Sequence, residues 1–362
     1  MPASRFDKGV RIAVGAKVFL RNLASSIARG KTPDAPEQRK NRPKNQKSTR
    51  QLKPEHKQKL KRELNEKRRE RSQIARELRA ARREVDSSKH IEQTKRIKSK
   101  KQEIFWAMNE LRIAKERPEG QPKRGSLPDF VIIGAPKCGT TFLYHLLTKH
   151  PHVEPAAFKE THYFDLLFEK GTEWYRQCFL PSCQKDGQRT ITGEATPGYL
   201  FHPHAAKRMA RVIPEARLIA LLRNPVDRTY SAFHYFQVRH GRQKGTFEET
   251  IAAAFDRPRE NRFLKAGIYV DQLLRWARFF GREQMLVLKS EEFFEYPQET
   301  LERVLGFLEV PEWKPKASEL HDKRNVGSYE RTMDPTVRRR LEEYFEPHNR
   351  RLYEYLGVDF GW

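Results

Sequence analysis

Short apolar runs alternate with amphipathic stretches from residue 127 onwards. Three runs of four or five apolar residues have the continuity of strands that are buried on both faces: 130–133, 218–222 and 285–288. A helical pattern follows each run, and two further amphipathic helices are predicted: 141–149, 226–237, 297–308, 267–280 and 334–356. Such strands separated by helices predict an α/β fold in three layers, with a central parallel sheet.

Residues 51–118 have a different pattern, with many charges and neither Gly nor Pro between Pro54 and Pro118. Apolar residues recur at heptad positions, interrupted by Lys67 and Arg71: Leu60, Leu64, Ile74, Leu78, Ala81 and Val85. This spacing predicts a charged helix or short coiled coil. It could form a homodimer, remain a solvated helix, or pack on the domain through Phe105 and Trp106.

The first 50 residues are predicted to be a basic, largely disordered tail, because Pro, Lys, Arg, Asn and Gln dominate residues 30–50. An apolar stripe within residues 12–27 could form an amphipathic helix on a membrane surface. We find no run of about 20 apolar residues that would span a bilayer, and no signal-peptide pattern. We therefore expect a cytoplasmic location, with peripheral membrane binding as an alternative, and a globular domain over 127–362.

Charge is distributed unevenly along the chain. The formal net charge is +25, of which residues 1–126 contribute +22 and residues 127–362 contribute +3. A basic arm of this kind predicts binding to an anionic surface or polyanion, such as nucleic acid, acidic lipid or acidic polysaccharide. Few aromatic residues are interleaved with the basic ones, which disfavours readout of nucleic-acid bases by stacking.

A glycine-rich loop follows the first predicted strand. Gly134 and Gly139 are separated by four residues, and Thr140 and Thr141 then open a helix. This is the glycine spacing of the phosphate-binding loop G-x-x-x-x-G-K-[ST], in which backbone N–H groups hold a phosphate, and it indicates a P-loop-type fold. The nucleotide hydrolases have Lys where this chain has Thr140, whereas here Lys137 lies inside the loop.

The position of this lysine makes the loop resemble that of sulfotransferases that use 3′-phosphoadenylyl sulfate (PAPS), whose 5′-phosphosulfate loop reads roughly P-K-[SAT]-G-T-[ST]. The resemblance implies that Lys137 contacts the oxygen between sulfur and phosphorus and stabilises the leaving nucleotide. The rest of the loop would bind the PAPS 5′-phosphate: Cys138, Gly139, Thr140 and Thr141.

The stretch from Lys159 to Asp165 resembles the K-E-x-H-[FY]-F-D segment of the heparan sulfate 3-O-sulfotransferases, and the N-sulfotransferases share its Lys-Glu pair. The resemblance implies that Glu160 is the general base for the acceptor. It also implies a catalytic role for His162, with Lys159 and Asp165 on the acceptor side.

Three further segments fit the same family. Arg223 and Ser231 stand where the family binds the 3′-phosphate, in a strand end followed by R-[DN]-P and a serine. The segment from Gly193 to Tyr199 resembles an E-x-T-P-x-Y stretch that borders the acceptor cleft, which makes Thr196 and Tyr199 candidates for substrate binding. The family's basic loop over the nucleotide would be matched by three weaker candidates: Lys323, Arg324 and Asn325.

The sequence thus predicts a sulfotransferase that transfers a sulfuryl group in line from PAPS to a hydroxyl or amine of an acceptor. The resemblance of the segment from Lys159 to Asp165 favours a carbohydrate acceptor. No metal is predicted, since no His, Cys and carboxylate cluster has ligand spacing. One alternative is a P-loop kinase or nucleotide hydrolase, which would need an acidic metal-binding residue where residues 218–222 lead into Arg223. The other is a polyanion-binding or nucleic-acid-binding protein that acts through the basic arm.

Overall fold

The computed structural model describes residues 54–81, 103–104, 107–114, 125–240, 245–256, 258, 261–320 and 332–362. All of them belong to one structural unit, Thr49–Trp362. Several predicted features therefore lie outside the described residues: the tail over 1–50, the site candidates Lys323, Arg324 and Asn325, and the aromatic pair Phe105 and Trp106.

The structure contains seven strands in its described part: β1 Phe130–Gly134, β2 Val153–Pro155, β3 Gln184–Lys185, β4 Gln188–Arg189, β5 Ile191–Ala195, β6 Arg217–Leu222 and β7 Met285–Lys289. Five of them form a parallel sheet at the centre of the fold, in the spatial order β2-β5-β1-β6-β7. Strands β3 and β4 pair with each other as a short antiparallel hairpin. The predicted α/β fold with a central parallel sheet is confirmed.

Helices connect and flank these strands. They are α1 Pro54–Ala81, α2 Thr140–Leu147, α3 Gly171–Arg176, α4 Ala205–Val212, α5 Pro225–His240, α6 Phe247–Asp256, α7 Arg262–Lys265, α8 Tyr269–Trp276, α9 Ser290–Glu295, α10 Pro297–Leu308, α11 Ala317–Leu320 and α12 Pro335–Leu356. The predicted helices coincide with α2, α5, α8, α10 and α12, although α8 is shorter than the predicted stretch 267–280. Among the described helices, none has the length and apolar character needed to cross a membrane.

Two strands of the sheet, β2 and β5, were not predicted from the apolar pattern. Strand β5 reads Ile-Thr-Gly-Glu-Ala, and its Thr192 and Glu194 are buried. Strand β2 has three residues and lies at the edge of the sheet. The apolar-run criterion fails here because one strand contains buried polar side chains and the other is too short to show a period.

The heptad stripe of α1 is buried against the same chain. Leu64 and Ile74 pack with Ile104, Met108 and Leu111, and the last two lie on helical residues 107–114. Ile113, on the same helical residues 107–114, is part of the main core. The stripe therefore has an intramolecular partner, and the homodimer stays a prediction.

Candidate active site

The carboxyl ends of the five parallel strands lie on one edge of the sheet, and the predicted site segments follow them. The glycine loop follows β1, and the Arg223 segment follows β6, which pairs with one side of β1. Strand β5 pairs with the other side and leads into residues 196–199. From β1 the chain continues to β2 on one side of the sheet, and from β6 it continues to β7 on the other side. Adjacent strands that diverge in this way leave a crevice at their carboxyl ends, where open α/β folds bind their ligands.

The glycine loop is a tight connection from β1 to α2. The Ala135 N–H donates to Leu221 O at 2.7 Å, and the Ser290 hydroxyl donates to Cys138 O at 3.0 Å. Gly139 is the N-cap of α2 with φ 86°, a left-handed conformation that favours glycine. The first N–H groups of α2 have no carbonyl partner within the helix, so the loop presents donors suited to an anion.

Lys137 projects from this loop toward α5. Its Nζ lies 4.4 Å from the centre of the Tyr235 ring, which is a cation–π distance. Four residues before Tyr235 on the same helix is Ser231, which is 4% exposed. The structure thus brings Lys137 and the Ser231 helix together, as the predicted donor site requires.

Cys138 has its thiol in the interior, with Sγ 4.0 Å from the Tyr269 hydroxyl. Burial raises the pKa of Cys138 to about 11, against the opposing charges of Arg228 and Arg223. The thiol therefore stays protonated and is not a nucleophile.

Arg223 follows β6 directly, and its carbonyl accepts a hydrogen bond from the Tyr269 hydroxyl at 2.8 Å. The next residue, Asn224, caps α5 through its side-chain oxygen, which accepts from Val226 N at 2.9 Å. Inside α5, Arg228 is 4% exposed, and its Nε and Nη1 are buried with no partner among the described residues. Sequence reasoning did not select Arg228, although its place between Arg223 and Ser231 was a usable signal.

The acceptor-side cluster consists of Glu160, His162 and Asp165. Both Glu160 and His162 have positive φ, 64° and 54°, which turns the two side chains toward each other. His162 Nε2 lies 3.5 Å from a Glu160 carboxylate oxygen, and His162 Nδ1 lies 3.0 Å from Asp165 Oδ2. Lys159 Nζ donates to the other Glu160 oxygen at 2.7 Å. The structure brings together all four residues that the motif suggested.

These contacts fix the charges of the cluster. Burial disfavours the ionised Glu160, but the hydrogen bond from His162 and the charge of Lys159 lower its pKa to about 2. Burial likewise disfavours protonated His162, but its hydrogen bonds to Asp165 and Glu160 raise its pKa to about 10. At neutral pH the cluster therefore holds an ionised Glu160 beside a positively charged imidazole.

A second carboxylate, Glu194 on β5, is hydrogen-bonded to the turn that carries Glu160 and His162. Glu194 is fully buried and accepts hydrogen bonds from four hydroxyl groups: Thr161 at 2.7 Å, Tyr175 at 2.8 Å, Thr196 at 2.6 Å and Tyr199 at 3.1 Å. Burial raises the pKa of Glu194, against the lowering by these donors. Because Thr161 lies between Glu160 and His162, the network holds the turn that carries both.

The Glu194 network changes the interpretation of two predicted substrate-binding residues. Thr196 and Tyr199 are both fully buried and directed at Glu194. Sequence reasoning did not select Glu194 as a site residue, although it is the glutamate of the E-x-T-P-x-Y stretch and was therefore a usable signal. Among the described residues, no group of three or more His, Cys, Asp or Glu side chains is arranged to hold a metal ion.

The chain is similar to known sulfotransferases in sequence and in structure. The family model for the sulfotransferase domain matches residues 127–322. The chain is 30% identical over 277 residues to human heparan sulfate glucosamine 3-O-sulfotransferase 6, covering 67% of this chain and 75% of that protein. It is 32% identical over 262 residues to the human 3-O-sulfotransferase 3B1, covering 65% of each. A crystal structure of a sulfotransferase from Alicyclobacillus acidocaldarius matches with TM-score 0.54 and 30% identity, over 65% of this chain and 98% of that one.

A further relative corrects the predicted location. The membrane-associated sulfotransferase kil1 of Dictyostelium discoideum is 25% identical over 324 residues, which span 65% of this chain and 66% of that protein. A membrane-associated relative contradicts the inference of a cytoplasmic location, which was wrong because it rested on the lack of a recognisable apolar segment. The chain matches about two thirds of the length of such curated relatives. With its domain match, its parallel sheet and the glycine loop after β1, the chain belongs to the sulfotransferase family.

Proposed function

We propose that this chain transfers a sulfuryl group from PAPS to a hydroxyl or amine of a carbohydrate acceptor. The observation that carries the proposal is the pairing of two features at one edge of the sheet. One is a glycine loop with Lys137, and the other is an ionised Glu160 beside a charged His162. The heparan sulfate sulfotransferase names of the relatives support a glycan acceptor.

The residues around the glycine loop fit a nucleotide with an anionic group at each end. The backbone at Gly139, with Thr140 and Thr141, would bind the 5′-phosphate, because the start of α2 offers N–H donors. Arg223 and Ser231 would bind the 3′-phosphate. The buried N–H groups of Arg228 next to this site add positive potential without a partner among the described residues. The thiol of Cys138 is turned inward, so its contribution would come from the backbone.

Lys137 has the charge that the transfer needs on the donor side. As the bond from sulfur to the bridging oxygen breaks, negative charge develops on the departing nucleotide phosphate. An ammonium group at the loop stabilises that charge most strongly in the transition state. The contact between Lys137 and Tyr235 keeps the ammonium group close to the loop before the donor arrives.

Glu160 is assigned as the base on the acceptor side. With a pKa of about 2 it is ionised at neutral pH and is a weak base. Proton transfer from the acceptor hydroxyl is therefore expected to occur late, after bonding to sulfur has made that hydroxyl more acidic. Charged His162 holds the carboxylate in place through one oxygen, while Asp165 fixes the imidazole from the other side.

We assign the neighbouring candidates to positioning. Lys159 pairs with Glu160, and Asp165 pairs with His162, so both orient the base. Thr196 and Tyr199 act through Glu194 on the turn that carries Glu160. The kinase or hydrolase alternative is disfavoured, because Thr140 replaces the required lysine and β6 leads into Arg223 rather than an acidic metal ligand.

Two substitutions test these roles. Glu160→Gln removes the base and Lys137→Ala removes the charge at the leaving group, so each should lower kcat by about 100-fold or more. The measurement is formation of adenosine 3′,5′-bisphosphate and labelled glycan from labelled PAPS. Matched controls are the exposed Glu169→Gln and Lys207→Ala, which should retain normal rates. Unchanged rates in both test variants, or strict dependence on ATP and magnesium, would refute the proposal.

A further inference from the structure

Three arginines from the N-terminal arm lie together beside the segment that carries Glu160. Arg68 and Arg71 are on α1, in the same helical stripe as Leu64 and Ile74, because these positions are spaced by four, three and three residues. The apolar members of that stripe, Leu64 and Ile74, pack with Ile104, Met108 and Leu111. Arg112 follows directly, so the packing brings it to the face that carries Arg68 and Arg71.

The charges of these arginines are not neutralised by carboxylates in the described part of the chain. The only side-chain acceptors found there are amide oxygens, of Asn65 for Arg68 at 3.4 Å and of Asn109 for Arg112 at 3.3 Å. Burial, and then the charges of Arg68 and Arg71, lower the pKa of Arg112. Clustered guanidinium groups of this kind are suited to bind an anion.

A cation on the same helix provides a contrast. Lys67 on α1 forms an ion pair with Glu70 at 2.9 Å, one turn along the helix. Helix α1 thus contains carboxylates, and Glu70 pairs with Lys67 rather than with Arg68 or Arg71. In the part of the chain that the structure describes, no carboxylate forms an ion pair with the three arginines, and the side chains of Arg68 and Arg112 contact amide oxygens.

The cluster lies next to the acceptor side of the site. The Arg112 guanidinium is 5.7 Å from the centre of the Phe158 ring, and Phe158 is two residues before Glu160. On the same helical stretch, Glu110 pairs with Lys170 at 3.1 Å. Residues 107–114 therefore contact both ends of the segment 158–170, which carries the Glu160 cluster.

We propose that Arg68, Arg71 and Arg112 form a subsite for a carboxylate or sulfate group of an anionic glycan acceptor. The inference rests on the proposed function and specifies its acceptor class, a glycan that is already charged. It also assigns a role to residues that precede the matched sulfotransferase domain, 127–322. Planar guanidinium groups suit such ligands because they can donate two parallel hydrogen bonds to two oxygens.

The test is a binding measurement without donor. A fluorescent hexasaccharide with sulfate and uronate groups is titrated against the full-length chain, beside a neutral hexasaccharide of the same length. Replacing all three arginines with Gln should raise the Kd for the charged sugar about tenfold or more at moderate salt. The matched control is Arg69→Gln, an exposed arginine one position along α1, with an expected change below about twofold.

Each outcome has a defined meaning. A triple variant that binds the charged sugar as tightly as Arg69→Gln, or loses both sugars equally, overturns the subsite. Arg112→Lys keeps the charge but loses the two parallel hydrogen bonds, so its Kd for the charged sugar should lie between those of the wild type and Arg112→Gln. An equal rise in Kd for the charged and the neutral sugar in this variant would indicate packing instead. If the wild-type chain binds the charged sugar through these arginines but transfers no sulfuryl group to it, the proposed function fails and the subsite stands.

Discussion

At the scale of single residues, the state of each candidate side chain is decided by its neighbours. Glu160 and Glu194 have the same chemistry, but their pKa values are shifted in opposite directions. Glu160 has two cationic partners, Lys159 and His162, which together lower its pKa by more than burial raises it. Glu194 has only hydroxyl and N–H donors, which do not offset full burial. Glu160 is ionised and its side chain is 45% exposed, whereas Glu194 is fully buried and is a structural hydrogen-bond acceptor.

The charge of His162 predicts a pH-dependent contribution to the stability of the fold. Its folded-state pKa of about 10 lies above the ordinary value of 6.5, so its charged form stabilises the fold. That contribution is fully present below pH 6.5 and is lost as the pH rises through about 10. His162→Gln should therefore lower the free energy of unfolding most at about pH 6 and much less at about pH 10. Urea denaturation at both pH values measures this, and an equal loss at both would contradict a charged imidazole.

Sequence reasoning selected Glu160, His162, Lys159 and Asp165 because they are close in a recognisable motif. The structure shows that local spacing was sufficient there, since one turn brings all four together. Glu194 also lies in a recognisable stretch, but its local spacing did not show what it contacts. Its importance comes from full burial and from donors 33 residues earlier and 19 residues earlier in the chain, Thr161 and Tyr175.

At the scale of elements, the junction between β1 and α2 depends on backbone conformation. Gly139 has φ 86°, and a Cβ there would lie 2.9 Å from Cζ of Phe294 on α9. The glycine therefore serves both the turn and the close approach of a neighbouring helix. Gly306, in the interior of α10, has open space around it and no such requirement.

This contrast predicts opposite effects of the same substitution. Gly139→Ala should cost about 1–2 kcal/mol of stability from left-handed strain and raise the KM for PAPS, since the loop N–H groups shift. Gly306→Ala should stabilise the protein by about 0.5–1 kcal/mol, because alanine loses less backbone freedom in a helix. Thermal denaturation and donor kinetics on both variants provide the test. An unchanged donor KM in Gly139→Ala would count against the loop as the phosphate site.

At the scale of the whole molecule, charge and packing divide the chain differently. The net charge is concentrated in residues 1–126, at +22, whereas residues 127–362 carry +3. Packing crosses the boundary at residue 127, because Ile113 belongs to the main core and the Arg112 guanidinium lies over the Phe158 ring. The end of the arm is therefore structurally part of the catalytic unit, which is why its arginines can serve the acceptor side.

Ile74 tests whether the arm folds on its own chain. Ile74 is 3% exposed and packs with Ile104, Met108 and Leu64. Ile74→Ala should accelerate amide hydrogen exchange in α1, because a buried side chain is truncated, while exchange in β1 stays as in the wild type. The exposed Gln73→Ala is the matched control. Concentration-dependent dissociation of a dimer on Ile74→Ala would instead support the coiled coil.

The sequence by itself determined the features that depend on neighbouring residues. These include the strands β1, β6 and β7, the glycine loop with Lys137, and the Glu160 motif, because apolar continuity, turn chemistry and motif spacing are local. Only the tertiary structure decided what depends on distant contacts: the places of β2 and β5 in the sheet, the burial of Glu194, and the partner of the α1 stripe. Such contacts are set by the free energy of packing the whole chain, and no local pattern records which distant surface will cover a side chain.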